Sequence, residues 1–283
     1  MSAIETSRDG DVFTITLAAP ERRNPLSTST LGELGAALDE AAGSDALAVV
    51  LASTGSVWST GHDLKEMATL DEDGLRELFT TCTAVMRRIE DLPQPVIAKV
   101  HALATAAGCQ LVASCDLAVA AESARFAAPG GKGGLFCHTP MVAIARNVGR
   151  KRALELALSG DEIDAATAAD WGLVNAVVPD DRLDQAVCDL VLRVTRGSRR
   201  SKAVGKQTLY AQMDLPLEQA YDLAIGVMAA NAASGDGAEG IRAFAEKRHP
   251  RWDSEARSDE PARSGHLPRL FRARRSARAG RRR

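Results

Sequence analysis

Two short segments of small residues could present backbone N–H groups to a negatively charged oxygen atom. The first, residues 57–67, contains Gly61 and His62, and the second spans residues 100–111. Each follows a predicted buried strand and enters a predicted helix, and a helix N-terminus favours negative charge. Two such turns side by side would supply the paired donors that stabilise a thioester enolate or a tetrahedral oxyanion. Either segment taken alone is weak evidence, because small residues at such turns also serve close packing.

The elements that would position these turns alternate between strands and helices. Residues 12–17 alternate apolar and polar side chains, which predicts the first strand. Ser27 is the predicted N-cap of a helix that runs to about residue 42. Continuous apolar runs predict further strands that are buried on both faces, and apolar residues at helical spacing predict a second helix. The strands are residues 46–52, 95–100 and 117–121, and the helix is residues 71–89.

Beyond residue 140 the pattern becomes helical, apart from a strand-like segment at residues 173–178. This order predicts an α/β core with a helical C-terminal extension. We divide the chain into a core (1–195), a helical region (196–252) and a basic tail (253–283). The tail lacks hydrophobic periodicity and cannot bury enough apolar surface to offset the entropy of ordering, which predicts disorder.

Composition limits the classes of protein that the chain could be. Hydrophobic residues make up 45% of the sequence, and its apolar runs all fall short of the ~20 residues that a membrane-spanning helix needs. Residues 1–11 resemble neither a secretory signal nor a transit peptide, so we expect a cytosolic protein. The five cysteines are odd in number and scattered, which argues against a disulfide framework and a zinc site. An acidic body with a basic tail is not typical of a nucleic-acid-binding domain.

Seven motifs occur in a fixed order between residues 12 and 252. Residues 20–27 read PERRNPLS, residues 59–63 read STGHD and residues 108–116 read GCQLVASCD. The remaining four are GRKRA at 149–153, LSG at 158–160, AADWGLV at 168–174 and EGIRAFAEKR at 239–248. Together they resemble the motifs of the enoyl-CoA hydratase/isomerase (crotonase) superfamily.

The resemblance implies the crotonase fold, a ClpP-like spiral of β-β-α turns whose C-terminal helices pack against a neighbouring subunit. It also implies an acyl-CoA thioester substrate and a homotrimer or a dimer of trimers. Coenzyme A would enter only as part of the substrate, and no metal or redox cofactor is implied.

The resemblance also implies which residues form the site. The backbone N–H groups of His62 and Ala107 would be the oxyanion donors. Arg23 and Lys65 match basic positions that meet the CoA phosphates in relatives, although both could equally be solvated surface charges. The implied CoA-binding set is Arg23, Gly61, Asp63, Leu64 and Lys65.

The chain departs from the family at its two catalytic glutamates, which fall on Gln110 and Gly130. Neither residue can transfer a proton, and each such group typically contributes ~10²–10⁴ in rate, so we expect poor hydratase activity. Cys137 aligns with a catalytic acid of other superfamily branches, and a thiol could protonate an enolate. With the neighbouring His138 it remains a candidate, the alternative being a packed thiol beside a solvated histidine. The open alternatives are a decarboxylase, a thioesterase or a non-catalytic acyl-CoA-binding protein.

Overall fold

In the computed structural model, which describes residues 2–252, strands and helices alternate up to residue 178 and helices follow. The strands are β1 (Ile4–Asp9), β2 (Val12–Leu17), β3 (Ala48–Ser53), β4 (Val57–Ser59), β5 (Val96–Val100), β6 (Leu103–Thr105), β7 (Leu117–Ala121), β8 (Arg125–Ala127), β9 (Ile163–Asp164) and β10 (Ala176–Val178). The helices are α1 (Thr28–Gly43), α2 (Leu64–Met67), α3 (Glu72–Asp91), α4 (Ala107–Ser114), α5 (His138–Val148), α6 (Arg150–Ser159), α7 (Ala165–Trp171), α8 (Leu183–Val194), α9 (Arg199–Gln212), α10 (Leu217–Ala232) and α11 (Gly235–Ala245).

Successive strands are distributed between two sheets. The larger has the order β1-β2-β3-β5-β7-β10 and the smaller the order β4-β6-β8-β9. Strands β3, β5 and β7 are parallel in the larger sheet, and β4, β6 and β8 are parallel in the smaller. Each repeat of two strands and a helix therefore adds one strand to both sheets. The repeats β3-β4-α3, β5-β6-α4 and β7-β8-α5 are the predicted β-β-α turns.

The central strands of the larger sheet, β3, β5 and β7, are buried on both faces, which explains their continuous apolar sequences. All six residues of β3 are buried. Residues of one face, such as Leu51, join the main core with apolar side chains of α1, α3 and α4. On the other face Val50 and Ile97 belong to a second cluster that includes Val187 and Val191 of α8. A strand covered on both sides reads as an apolar run rather than an alternating pattern.

Most of the predicted elements are present, with two corrections. Ser27 caps α1 by accepting a hydrogen bond from the Thr30 N–H at 3.2 Å, as predicted. Residues 12–17 form a strand but not the first one, because β1 precedes it and pairs with it antiparallel. The sequence gives little sign of β1, since only the first of its six residues is buried. The strand predicted over residues 173–178 begins only at Ala176.

Helices α9–α11 and the connection after α9 leave many large apolar side chains exposed. These are Leu209, Met213, Leu217, Tyr221, Ile225, Met228, Ile241 and Phe244. Such a surface is compatible with the predicted packing against a neighbouring subunit, which stays a prediction, as do the boundaries between the core and the helical region. The predicted disordered tail, residues 253–283, lies outside the described residues.

Within residues 2–252 no helix combines the length and apolar character that crossing a membrane requires. The described residues also contain no group of three or more His, Cys, Asp or Glu side chains that could hold a metal ion. All five cysteines are free thiols, four of them buried and Cys188 exposed.

Candidate active site

The two small-residue turns meet at Gly61 and Ala107. Gly61 has a φ of +78°, and a Cβ atom on it would lie 2.8 Å from the Ala107 nitrogen and 3.1 Å from the Thr105 carbonyl oxygen. Gly108 makes the reciprocal contact, because its Cβ would lie 2.6 Å from the Ser59 carbonyl oxygen. Main chains this close leave no space for a side chain, so the juxtaposition of the turns requires both glycines.

Buried Asn24 fixes the turn at Gly61. Its side-chain nitrogen donates to the carbonyl oxygens of Thr54, after β3, and Val57, at the start of β4, at 2.7 and 2.9 Å. The backbone carbonyl of Asn24 accepts a hydrogen bond of 2.8 Å from the Ser59 hydroxyl. That hydroxyl accepts one of 3.2 Å from the Gly61 N–H. The Gly61 carbonyl in turn accepts from the Leu26 N–H at 2.7 Å. The PERRNPLS motif therefore serves as the scaffold for this turn.

The backbone N–H groups of His62 and Ala107 are available as donors. Ala107 is the first residue of α4, where an N–H has no partner inside the helix. Among the described residues, neither N–H donates to a backbone acceptor. Ala106 holds an unusual conformation (φ 52°, ψ −120°), and its own N–H donates to the Ala127 carbonyl at 2.9 Å. Two free donors on touching turns suit a negatively charged oxygen.

The His62 side chain contacts the Leu26 carbonyl and the Phe79 ring. Nδ1 is 3.2 Å from the Leu26 carbonyl oxygen, and the ring meets Phe79 edge to face with centroids 5.3 Å apart. Nε2 is buried and has no hydrogen-bond partner among the described residues. Burial lowers the pKa of His62, although the Leu26 carbonyl and the Glu66 carboxylate both oppose that shift.

Two more polar atoms near the touching turns are buried without a partner in the described part of the chain. They are the side-chain oxygens of Thr105, at the end of β6, and Gln110, on the first turns of α4. A buried polar atom left unpaired typically costs about 1–3 kcal/mol, so these two atoms are candidates for contact with a polar ligand. Thr105 is not among the predicted site residues, and its only signal in the sequence is a hydroxyl at the end of an otherwise apolar strand.

The loop after β8 closes the second glutamate position. A Cβ on Gly130 would lie 2.1 Å from the Leu135 carbonyl oxygen and 2.8 Å from the Cys137 sulfur. The Leu135 N–H donates to the Gly130 carbonyl at 2.9 Å, which ties the loop back on itself. The main chain therefore occupies the space that a longer side chain at Gly130 would need.

Cys137 and His138, the two candidate residues that follow this loop, lie in different environments. Cys137 is buried, and burial raises the pKa of its thiol, against a smaller opposite effect of a hydrogen bond from Gly130. His138 begins α5 with an exposed side chain, whose ring lies 5.1 Å from that of Phe136. Cys137 is thus a protonated thiol inside the protein, and His138 is a surface residue.

Three of the residues that the resemblance assigns to CoA binding are exposed beside the first turn. They are Arg23, Leu64 and Lys65, and the side chain of Leu64 is among the more exposed apolar ones. A main-chain hydrogen bond joins Arg23 to the first turn, because the Arg23 carbonyl accepts from the Thr60 N–H at 3.2 Å. They form an exposed basic and apolar surface next to the candidate donors.

Asp63 has a positioning role in the same turn. It caps α2 by accepting from the Lys65 N–H at 3.0 Å, and it forms an ion pair of 2.6 Å with Arg22. Burial favours a higher pKa for Asp63, but the hydrogen bonds from Arg22, Lys65 and Glu66 together lower it. Arg22, which sequence reasoning did not single out, thus orders the helix that follows His62.

A groove of about 610 Å³ lies along α3. Its lining is mostly apolar and threonine side chains with charged residues among them: Glu72, Leu75, Arg76, Phe79, Thr80, Thr83, Ala84, Arg87 and Thr139. Phe79 is shared, since it lines the groove and touches the His62 ring. The groove and the donor turn are therefore neighbours.

Comparison with known proteins supports the motif-based resemblance. The family model described as enoyl-CoA hydratase/isomerase matches residues 7–255. Mouse enoyl-CoA hydratase domain-containing protein 3 is 44% identical over 249 residues, which cover 87% of this chain and 83% of that protein. The 2,3-dehydroadipyl-CoA hydratase of Escherichia coli is 32% identical over 258 residues, with 88% and 98% covered.

Solved structures confirm the predicted fold. The human enoyl-CoA hydratase domain-containing protein 3 is 42% identical and has a TM-score of 0.85, with 88% of this chain and 100% of that chain covered. An enoyl-CoA hydratase of Mycobacterium smegmatis is 45% identical, with a TM-score of 0.86 and coverages of 88% and 98%. The motifs GHDLKE at 61–66 and AAGCQLVASCD at 106–116 predict likeness to domain-containing protein 3 in particular, and the comparisons confirm it.

The expectation of a cytosolic protein is wrong. The mouse, rat, zebrafish and human relatives are all named as mitochondrial proteins. The expectation rested on the composition of residues 1–11, and that composition does not identify a compartment.

Proposed function

Because the chain belongs to the enoyl-CoA hydratase/isomerase family, we propose that it is an enzyme of fatty acyl-CoA metabolism that stabilises a thioester enolate. The observation that carries the proposal is the contact between the two turns, where Gly61 lies against the nitrogen of Ala107. The backbone N–H groups of His62 and Ala107 would both donate to the thioester oxygen. One donor of this kind is typically worth about 3–4 kcal/mol in the transition state, because it is fixed before the charge develops.

The surroundings of the donors suggest how the rest of the substrate binds. The exposed Arg23 and Lys65 would meet CoA phosphates, since charge-assisted hydrogen bonds favour that pairing. The groove along α3 would take the acyl group, because it is largely apolar and borders His62 through Phe79. The exposed apolar side chains of α9–α11 would be covered by a second and third copy of the chain, as expected of large unpartnered patches.

Ordinary hydration of an enoyl-CoA is not the reaction that this site supports best. A water nucleophile needs a base, and the amide of Gln110 can orient a water molecule but cannot take its proton. The second carboxylate position is closed, since the Leu135 carbonyl stands where a side chain at Gly130 would begin. The proposal is therefore enolate formation or enolate protonation, the steps that an oxyanion hole assists directly.

Calorimetry tests the binding half of the proposal. Acetyl-CoA and octanoyl-CoA should bind with micromolar dissociation constants, about −8 kcal/mol, while free CoA should bind more weakly because it lacks the thioester carbonyl. Arg23→Ala and Lys65→Ala should each weaken binding of both esters, whereas Arg152→Ala, in an exposed ion pair with Asp170 outside the groove and the donor turns, should serve as the charge-matched control. No heat with either ester at ~1 mM would contradict the proposal.

Product analysis tests the catalytic half. A panel of saturated, enoyl- and malonyl-type CoA esters, incubated with the protein in D₂O and followed by mass spectrometry, should give one class that gains deuterium or loses CO₂. Tight binding without any turnover across the panel would favour the alternative of a non-catalytic acyl-CoA-binding protein.

A further inference from the structure

The tautomer of His62 follows from its contact with Leu26. A carbonyl oxygen can only accept a hydrogen bond, so Nδ1, at 3.2 Å from the Leu26 oxygen, must carry the proton. In the neutral ring Nε2 then bears a lone pair and can only accept. That atom is buried and has no partner among the described residues.

Two observations connect the His62 ring with the candidate substrate site. The ring belongs to the residue whose own N–H is one of the two candidate oxyanion donors. The ring also contacts Phe79, which lines the groove along α3, so the His62 side chain lies next to a residue of that groove. Nε2 faces away from Leu26, because the two ring nitrogens of an imidazole point in nearly opposite directions.

We propose that Nε2 of His62 is the acid–base group of this enzyme, accepting the α-proton of a bound acyl-CoA. This inference rests on the proposed function. As the Cα–H bond breaks, its electron pair forms the enolate, whose oxygen is held by the N–H groups of His62 and Ala107, and the proton passes to Nε2. The reverse transfer from the imidazolium to the enolate carbon completes an exchange with no net oxidation or loss of atoms.

The electrostatic setting suits a reversible proton carrier. Burial lowers the pKa of His62, so the ring is neutral and ready to accept at pH 7. The Glu66 carboxylate, which also accepts the Thr28 N–H at the start of α1, favours the protonated ring. A neighbouring enolate would favour it further, since opposite charges at close range stabilise one another. The imidazolium is therefore stabilised at the stage of the reaction that creates it.

The other candidate residues, Gln110, His138 and Cys137, are each less suited than His62 to exchange a proton with the substrate. Gln110 has no proton to exchange near neutral pH, and His138 is exposed at the start of α5. Cys137 is a buried thiol whose pKa is raised, and it lies against the closed loop at Gly130.

Isotope exchange tests the proposal without knowledge of the full reaction. Butyryl-CoA incubated with the protein in D₂O should gain deuterium at Cα, measured by mass spectrometry. His62→Ala keeps the backbone N–H and removes the base, so exchange should fall ~10²-fold or more while the Kd for butyryl-CoA changes by less than ~3-fold. His249→Ala, at an exposed histidine near the end of the described chain, is the matched control and should exchange like the parent. Circular dichroism and melting curves establish that each variant folds.

The outcomes separate this inference from the proposed function. Exchange by His62→Ala within ~3-fold of the parent, or binding of butyryl-CoA by the parent without any exchange, would overturn the role of His62 and leave acyl-CoA binding intact. If the unmodified protein does not bind butyryl-CoA at all, the proposed function itself fails.

Discussion

The α-carbon of Gly61 rests against the backbone nitrogen of Ala107, at a distance that would leave an added methyl group only 2.8 Å from that nitrogen. Two segments that are 46 positions apart in the chain are thereby placed with their main chains in contact. The contact depends on parallel pairing of β4 with β6, since each strand ends just before one of the turns. The strand-strand-helix repeat thus produces the candidate site directly.

Replacing Gly61 should therefore separate the donors. In Gly61→Ala the methyl group meets two backbone atoms that cannot move independently, and the φ of +78° adds about 1–2 kcal/mol of strain. We expect a lower melting temperature and at least tenfold weaker binding of acetyl-CoA, measured by calorimetry on folded protein. Gly10→Ala is the control, because Gly10 also has a positive φ but has no atom within 4 Å of an added methyl group. Unchanged affinity in Gly61→Ala would show that the two turns do not bind the thioester together.

Elements with a clear apolar pattern of their own can be predicted from the sequence, whereas features fixed by contacts between distant segments cannot. Strands such as β3 and β5 are predicted well because burial on both faces leaves an uninterrupted apolar run. The weakly buried β1 is missed, because its place is fixed by pairing with β2 rather than by its own pattern. Within the site, motif resemblance indicates His62 and Ala107. Sequence could not show that Nε2 of His62 is unpaired or that the main chain closes Gly130, since both depend on distant segments folding back.

We expect different results when a carboxylate is restored at Gln110 and at Gly130, because only the loop at Gly130 leaves no space for a side chain. Gln110→Glu places one carboxylate at a position that already holds a side chain of the same length, and hydration of crotonyl-CoA should rise by ~10² or more over a slow parent. Gly130→Glu should not raise it and should lower the melting temperature, because its Cβ would lie 2.1 Å from the Leu135 oxygen. Both rates can be followed from the loss of enoyl-thioester absorbance.

Two results would contradict this view of hydration. One is a parent protein that already hydrates crotonyl-CoA at hundreds of turnovers per second, which would require another acid and base. The other is a Gly130→Glu variant that melts like the parent, which would mean that the loop has a conformation with space for the side chain.

The unusual backbone of Ala106 predicts a stabilising substitution. Its φ of 52° and ψ of −120° form a combination that costs a non-glycine residue about 1–3 kcal/mol, and glycine adopts it freely. Glycine loses about 0.5–1 kcal/mol more chain entropy on folding, so Ala106→Gly should gain about 1 kcal/mol. The melting temperature should rise by about 2–4 °C. Ala113→Gly, at a buried position within α4, should lower it, and a fall in both variants would contradict the assignment of strain to Ala106.

An ion pair between Lys206 and Asp116 anchors α9 to the core. Lys206 Nζ lies 2.6 Å from Asp116 Oδ2 and donates to the carbonyls of Ile89 and Gln94 at 2.8 and 2.9 Å. The other Asp116 oxygen accepts from the Tyr210 hydroxyl at 2.8 Å. Burial raises the pKa of Asp116 and lowers that of Lys206, and their mutual attraction opposes both shifts.

Removing one partner of this pair should be far more harmful than removing both. Lys206→Met leaves a carboxylate in a site where both side chains are almost buried, and the free energy of unfolding should fall by about 3–5 kcal/mol. Replacing Asp116 by Asn in the same chain should restore part of that loss, because the unpaired charge is gone. Arg76→Met removes the exposed ion pair with Glu72 and should change stability by less than about 0.5 kcal/mol. Denaturant unfolding at one fixed protein concentration measures all three variants, since assembly would otherwise shift the curves. If Lys206→Met costs no more than Arg76→Met, the attachment of α9 depends on its apolar contacts and not on this pair.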